Sequence, residues 1–477
     1  MTLPAPYRPS IHFTPETSWI NDPNGCIYHQ GLYHLFFQYY PDDIKWGPMH
    51  WGHATSPDLI KWSQHDIALY PDSSLGAIFS GSAVNDKHNV SGLFNDDKGL
   101  IAFYTSHLER EAPLGPLQQQ CIAFSKDNGF TWEKYEKNPV ITNPGIPDFR
   151  DPKVIYHEES GHWILIAVAG QQVNFYKSLD LLTWEDAGVF GKDQHNDSLV
   201  WECPDLMQLQ DQYGTSYWVL FISCVSSQEK PFPPMQYFIG EFDGHTFKET
   251  HQDDRVNVVD DGYDFYAAQS FFEAKSESDK PIWLAWANHW PYANLIPNDG
   301  WRGTMSLPRE LSLLKKANEI ALAQQPISAV CDHFTHTSTA SENTLLLPTA
   351  AGTVHKLSVR LPNANQSSAS FEVKAGASQS AIFNWDSSSK TFSLDRSALK
   401  PEHFHDLYDQ LVVADLSKEM AETDTLSADI YIDQSIIEVF FFDGERVMTS
   451  LVFPNTTFSS FVSHTEQLNT TYSMVTI

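Results

Sequence analysis

Two interleaved series of short motifs, each returning at intervals near 60 residues, constrain the fold of this chain more than any other feature. In the first, a polar turn carrying an Asp leads to an aromatic residue that opens the next apolar stretch. The copies are Ser56-Pro-Asp-Leu-Ile-Lys-Trp62, Ser125-Lys-Asp-Asn-Gly-Phe-Thr-Trp132, Ser178-Leu-Asp-Leu-Leu-Thr-Trp184 and, more loosely, Glu241-Phe-Asp-Gly-His-Thr-Phe247. Their closing aromatics stand 70, 52 and 63 residues apart. The second series is Asp22, Ser80, Asp151, Glu202 and Asp264, at intervals of 58, 71, 51 and 62. Between these marks lie short aromatic and β-branched runs such as Gly31–Tyr40, Leu100–Thr105, Trp163–Ala169, Tyr217–Ser223 and Pro281–Ala287, with no long amphipathic helical period. A four-stranded unit repeated radially is a propeller blade. About five copies before residue 310 therefore predict a five-bladed β-propeller. Its equivalent positions would face one central channel, where residues far apart in sequence could share a pocket. The competing reading is an irregular all-β fold with coincidental spacing.

After Pro308-Arg309-Glu310-Leu311 the texture changes, and the stretch from 335 to 425 is rich in Ser, Thr and Ala. Strand-like runs continue at Thr353–Leu361, Ala369–Val373, Gln379–Asn384, Leu426–Ile432 and Ile436–Phe442, and Ser435–Phe453 reads as a hairpin turning at Asp443-Gly444. The predicted organisation is a propeller over 1–312, a linker over 313–330 with Leu311–Pro326 as the connecting segment, and a β-sandwich over 331–477. The class is all-β.

Composition excludes several functions. The formal charge of −30 argues against nucleic acid and anionic membrane surfaces. Charged residues make up only 19% of the chain, too few for a disordered one. The 14 Trp fit stacking on carbohydrate as well as core packing. Five Cys with no CxxC spacing predict neither a disulfide framework nor a zinc site. The N-terminal MTLPAPYRPSIHF has no basic and apolar leader pattern, which favours the cytoplasm unless a leader was removed upstream.

The chemistry-bearing stretch lies near the start, at Trp19-Ile20-Asn21-Asp22-Pro23-Asn24-Gly25. Its tail alone reads as a type I turn. However, Arg150-Asp151-Pro152 and Glu202-Cys203-Pro204-Asp205 repeat its design of carboxylate, Pro and apolar run. Paired carboxylates across a glycosidic bond are the minimal machinery for its hydrolysis, one ionised and one carrying a proton. Asp22 suits the first role, with Asn21 and Asn24 beside it as hydrogen-bond donors. Glu202 suits the second, set among Trp201, Cys203 and Pro204 with the like charge of Asp205 nearby. Asp151 beside Arg150 reads by itself as a buried ion pair.

Together, WINDPNG at 19–25, FSGSA at 79–83, FRDP at 149–152, WECPD at 201–205 and DFYAAQSF at 264–271 resemble glycoside hydrolase family 32, the β-fructosidases. Asp433-Gln-Ser-Ile-Ile-Glu-Val-Phe440 and Asp443-Gly444 extend the resemblance into the C-terminal domain. The resemblance implies a five-bladed propeller with a β-sandwich, and retaining hydrolysis without metal or cofactor. It implies Asp22 as nucleophile, Glu202 as acid/base and Asp151 as transition-state stabiliser. It also implies Asn21, Gln38, Trp46, Phe79, Ser80, Arg150 and Trp290 as sugar-binding residues. Ile20, Ala268 and Phe442 depart from commoner Met, Pro and Asn without touching the three carboxylates. Trp51-Gly-His-Ala54 and Trp301–Arg309 look more like invertases, levanases and exo-inulinases than like sucrose-6-phosphate hydrolases, with Lys45 and Arg302 as the nearest basic residues. The expected substrate is sucrose and short fructo-oligosaccharides, and a homodimer is compatible with the sequence. An exo-levanase or exo-inulinase, a sucrose-6-phosphate hydrolase, a fructosyltransferase and, from another class, a non-catalytic sugar-binding protein are the alternatives.

Overall fold

A computed structural model of the chain describes residues 7–95, 98–191, 200–225, 234–250, 256–316, 319–334, 336–339, 343–466 and 468–476. The polypeptide first builds five antiparallel meanders, each headed by a long strand: Ser18–His29, Ala77–Asp86, Phe149–His157, Trp201–Gln210 and Tyr266–Lys275. Each heading strand packs against the heading strand of the next meander, and the fifth returns to the first. A parallel pairing of Ile27 with Phe272 closes the ring. This is a five-bladed propeller with the heading strands innermost.

The blades read as apolar runs because both faces of their central strands are covered. Ile164, Leu165, Ile166, Ala167 and Val168 are all fully buried. Ile164, Ile166 and Val168 feed the core shared with the fourth blade, and Leu165 and Ala167 feed the core shared with the second. Period-two alternation thus serves two interfaces at once. The Asp-bearing turns of the first series join the third and fourth strands of blades one to four. Each Asp accepts backbone N–H groups: Asp58 from Ile60 and Lys61, Asp127 from Thr131, Asp180 from Leu182 and Thr183, and Asp243 from His245 and Thr246, all at 2.7–3.0 Å. Such side-chain-to-backbone turns explain why Asp recurs there.

The stretch expected to be a connector is strand. Arg309–Lys316 and Glu319–Pro326 pair as the outer hairpin of the fifth blade. Leu311 and Leu313 alternate toward the core around Trp283, and Leu322, opposite Leu313, joins them. Beyond it, two six-stranded sheets form a sandwich around Phe371, Phe383, Phe392, Leu357 and Val439. The expected hairpin is present as Ile436–Phe441 and Arg446–Leu451. Among the described residues no helix is long and apolar enough to cross a membrane.

Buried charge joins the two domains. Asp264, the fifth member of the second series, precedes its innermost strand and faces away from the channel. Its carboxylate accepts from Tyr292 Oη at 2.6 Å and the Leu451 amide at 2.8 Å, and pairs with Arg396 of the sandwich, all fully buried. The Asp433–Phe440 motif has a similar purpose. Asp433 and Glu438 hold the two ring nitrogens of His12 at 2.7 and 3.1 Å, and Glu438 also accepts from Arg309 Nη2 at 2.6 Å. Burial alone would lower the pKa of His12, but the two carboxylates outweigh it and hold the imidazolium to about 9, against 6.5 when free. Because the folded value is raised, this clasp stabilises fully below pH 6.5 and fades as pH rises toward 9. His12→Gln is therefore expected to lower the melting temperature most below pH 6.5, with the gap to wild type closing toward pH 9. Melting curves across that range check it, and a gap of constant size would contradict it.

Candidate active site

Every innermost strand breaks register with its neighbour at the same height in the channel. The breaks fall between Ile20 and Pro23, Ile78 and Gly81, Arg150 and Lys153, Glu202 and Asp205, and Tyr266 and Gln269. A bulge leaves a residue unpaired and re-aims its side chain. It also accommodates a Pro that a regular central strand would reject, which is where Pro23, Pro152 and Pro204 sit. Asp151, Cys203 and Ala267 take up positive φ values of 61, 47 and 56° in these bulges. The Asp-Pro-Asn-Gly stretch is therefore a bulge inside the strand Ser18–His29, not the hairpin turn it suggests in isolation.

All ten residues singled out in the sequence line one cavity of about 320 Å³ at the N-terminal ends of these strands: Asn21, Asp22, Gln38, Trp46, Phe79, Ser80, Arg150, Asp151, Glu202 and Trp290. At the floor, Asp22 accepts from Ser80 Oγ at 2.6 Å, Asn21 Nδ2 at 3.0 Å and the Cys203 thiol at 3.4 Å. Asn24 instead donates to the Asp22 backbone carbonyl. Asp151 accepts from the Cys203 amide at 2.9 Å and the same thiol at 3.6 Å. The Arg150 side chain spends its strongest contacts elsewhere than on its neighbour. Nη2 reaches Glu202 Oε1 at 2.7 Å and Nη1 reaches Asp148 at 2.6 Å, whereas Nε stands 3.9 Å from Asp151. Tyr266 donates to Glu202 Oε2 at 2.5 Å. Asp205, expected to press like charge on Glu202, is held by Lys153 at 3.1 Å and the Ser270 amide at 2.6 Å.

Aromatic rings form the walls. Phe79 stacks on His107 at 4.1 Å between centroids, Trp46 meets Phe79 edge-on at 6.2 Å, and Trp290 stacks beside Trp19 at 6.3 Å. Trp46 is 44% exposed and stands at the rim. Gln38 is fixed by its amide donating to the Ile78 carbonyl at 3.0 Å.

Burial pushes the Asp22 carboxyl above its usual range and Glu202 adds to the rise, while Ser80, Asn21 and Cys203 favour the ionised form. Burial likewise raises Asp151, with Arg150 opposing and the charges of Glu202 and Asp22 assisting. The site thus crowds three carboxylates against one guanidinium, an arrangement suited to positive charge developing between them.

Sequence reasoning missed Tyr266, Cys203 as a bridge, and the rim residues His107, Glu109, Gln118 and Asp148. Tyr266 was inside a recognised motif, but the spacing argument selected Asp264 two positions earlier. Arg302 is not a free cation: its guanidinium donates to the carbonyls of Ile44, Asn294 and Ile296. Lys45 is exposed.

Comparison with known proteins places the chain in a family. The family profile described as "Glycosyl hydrolases family 32 N-terminal domain" matches residues 12–326, and "Glycosyl hydrolases family 32 C terminal" matches 323–476. A levanase of Bacillus subtilis (strain 168) is 38% identical over 465 residues, covering 94% of this chain and 67% of that protein. An exo-inulinase crystal structure from Aspergillus awamori superposes with a TM-score of 0.87 at 31% identity, covering 100% of this chain and 99% of that one. A β-fructofuranosidase from Schwanniomyces occidentalis, complexed with fructosyl-erythritol, gives 0.86 at 31% identity, covering 98% and 97%. The propeller, the sandwich and the carboxylate-lined pocket therefore belong to a member of glycoside hydrolase family 32, a β-fructosidase.

Proposed function

We propose that the chain is a retaining exo-β-fructosidase that releases the terminal non-reducing fructosyl unit of sucrose and short fructo-oligosaccharides. The observation that carries this reading is the convergence of Asp22, Asp151 and Glu202 on one cavity of about 320 Å³, room for a furanose and part of its neighbour. Asp22 attacks the anomeric carbon as the glycosidic C–O bond breaks, and the leaving oxygen takes a proton from Glu202. Glu202 then removes a proton from water, which displaces Asp22 and frees fructose with its configuration retained. Both Glu202 oxygens accept hydrogen bonds, from Arg150 and Tyr266. A sugar hydroxyl that takes over the Arg150 donor frees Glu202 to carry the proton. Asp151, braced by the Cys203 amide, faces the cationic charge that builds on the ring.

A second reading, an exo-enzyme acting on polymeric fructan, is favoured by the levanase and exo-inulinase among the relatives. Initial rates of fructose release from sucrose, sucrose 6-phosphate and inulin decide, with Asp22→Ala as the blank. Sucrose is expected to lead. Inulin matching it would establish the second reading. Sucrose 6-phosphate leading would overturn the proposal, since Arg302 is already committed to backbone carbonyls.

A further inference from the structure

The propeller channel has two mouths, and only one holds the carboxylates. At the C-terminal ends of the innermost strands lies a cavity of about 860 Å³, reached by Asn85, Tyr156, Gln208 and Lys275 from four of the five. A buried belt divides it from the upper pocket. Lys153 Nζ binds Asp205 at 3.1 Å and the Ser270 carbonyl and hydroxyl at 2.9 and 2.8 Å, with Lys153 and Asp205 almost wholly buried. The two cavities share no lining residue.

The lining of the lower cavity has the chemistry of saccharide recognition. One wall is aromatic and continuous: Tyr156 meets Trp163 edge-on at 5.1 Å, and Trp163 stacks with Phe272 at 6.3 Å and 30°. Tyr156 is 40% exposed. Trp218 of the fourth blade also lines the cavity. The indole N–H groups of Trp163 and Trp218 and the amide of exposed Gln208 make no hydrogen bond among the described residues, and neither indole nitrogen is sealed from solvent. Of the charged groups at this mouth, Lys87 pairs with Glu273 at 2.7 Å and Lys275 with Asp279 at 2.8 Å, Asp86 accepts from the amides of Val90 and Ser91, and exposed Glu158 has no ion pair among the described residues. Ring faces for C–H groups, free donors at their edges and no unpaired cation among the described residues that line it suit a neutral polyol over an anion.

We propose that this lower mouth is a second, non-catalytic binding site for a neutral oligosaccharide, a fructan chain whose ends are cut at the upper mouth. The choice of fructan rests on the second reading of the upper pocket given above, an exo-enzyme acting on polymeric fructan. Holding a polymer below keeps free ends concentrated near the upper pocket, an effective-concentration gain without new catalytic contacts.

The test begins with equilibrium binding of 1-kestose to the Asp22→Ala protein, where turnover does not interfere. Two sites are expected, and adding Tyr156→Ala and Trp218→Phe removes one. Tyr156 is a surface residue and Trp218→Phe keeps the ring, so the fold survives both. In the otherwise native enzyme the same pair is expected to raise KM for inulin by about tenfold and leave both constants for sucrose unchanged. A single binding site up to the solubility limit of the sugar, together with an unaltered KM for inulin, overturns the proposal. If the native protein releases no fructose from any substrate, yet Tyr156-dependent binding persists, the reading of the upper pocket fails and the lower site stands.

Discussion

With Asp22 as the proposed nucleophile, replacing it with Ala is expected to lower fructose release from sucrose by on the order of 10⁴-fold or more, because the covalent intermediate of that mechanism can no longer form. Ser80 and Cys203 reach the same floor, but as hydrogen-bond donors to the Asp22 carboxylate. The Cys203 thiol is held well above its normal pKa by burial and three neighbouring carboxylates, so it does not stand in as a thiolate. The loss is in chemistry rather than in folding. Asp22 is a buried carboxylate raised by burial and by Glu202, so its removal relieves repulsion. The melting temperature of the variant is expected at or above that of the native enzyme. A small external nucleophile such as azide, fitting the vacated space, is expected to restore turnover with inverted product. Near-native turnover of sucrose by Asp22→Ala would exclude it as the nucleophile.

Glu202→Gln separates substrates by their leaving groups. For sucrose, whose departing glucosyl oxygen needs a proton, the rate is expected to fall by about 10²–10⁴-fold. An aryl fructoside whose phenolate leaves unaided loses far less in the fructosylation step, and its release step becomes limiting because water is no longer activated. A burst of phenol followed by slow turnover is the signature. The variant also deprives Arg150 Nη2 of its 2.7 Å ion pair, leaving Asp148 as its close carboxylate partner. A purely electrostatic role for Glu202 would cost good and poor leaving groups alike, and equal losses would count against the acid role.

Much of this architecture is legible in the sequence because its repeats have physical causes. The Asp turns recur since four blades need the same outer connection, and the Pro residues recur since the innermost strands bulge at the same height. The same spacing brings Asp22, Asp151 and Glu202 into one pocket. What was not legible depended on register. Asp264 and Tyr266 differ by two positions, and only the start of the strand decides which faces the channel. Leu311–Pro326 resembled a connector because its alternation is short, and its strand character comes from docking on the fourth blade. Cys203 read as a passive apolar neighbour of Glu202. Its positive φ turns the amide and thiol onto Asp151 and Asp22, and positive φ leaves no mark on a cysteine in sequence.

The parallel contact between Ile27 and Phe272 also governs how the molecule comes into being. The strand that carries Asp22 leaves the ribosome before the other four heading strands, yet its neighbour around the ring is made about 245 residues later. The segment just before it waits longer still, since Ser10, Ile11 and His12 are held by Asp433. Contacts of such sequence separation form late and slowly. The carboxylates consequently remain scattered through most of synthesis, and no partial chain assembles a working pocket. Closure of the ring is the step that completes the wall of heading strands around Asp22, and the clasp on His12 follows it.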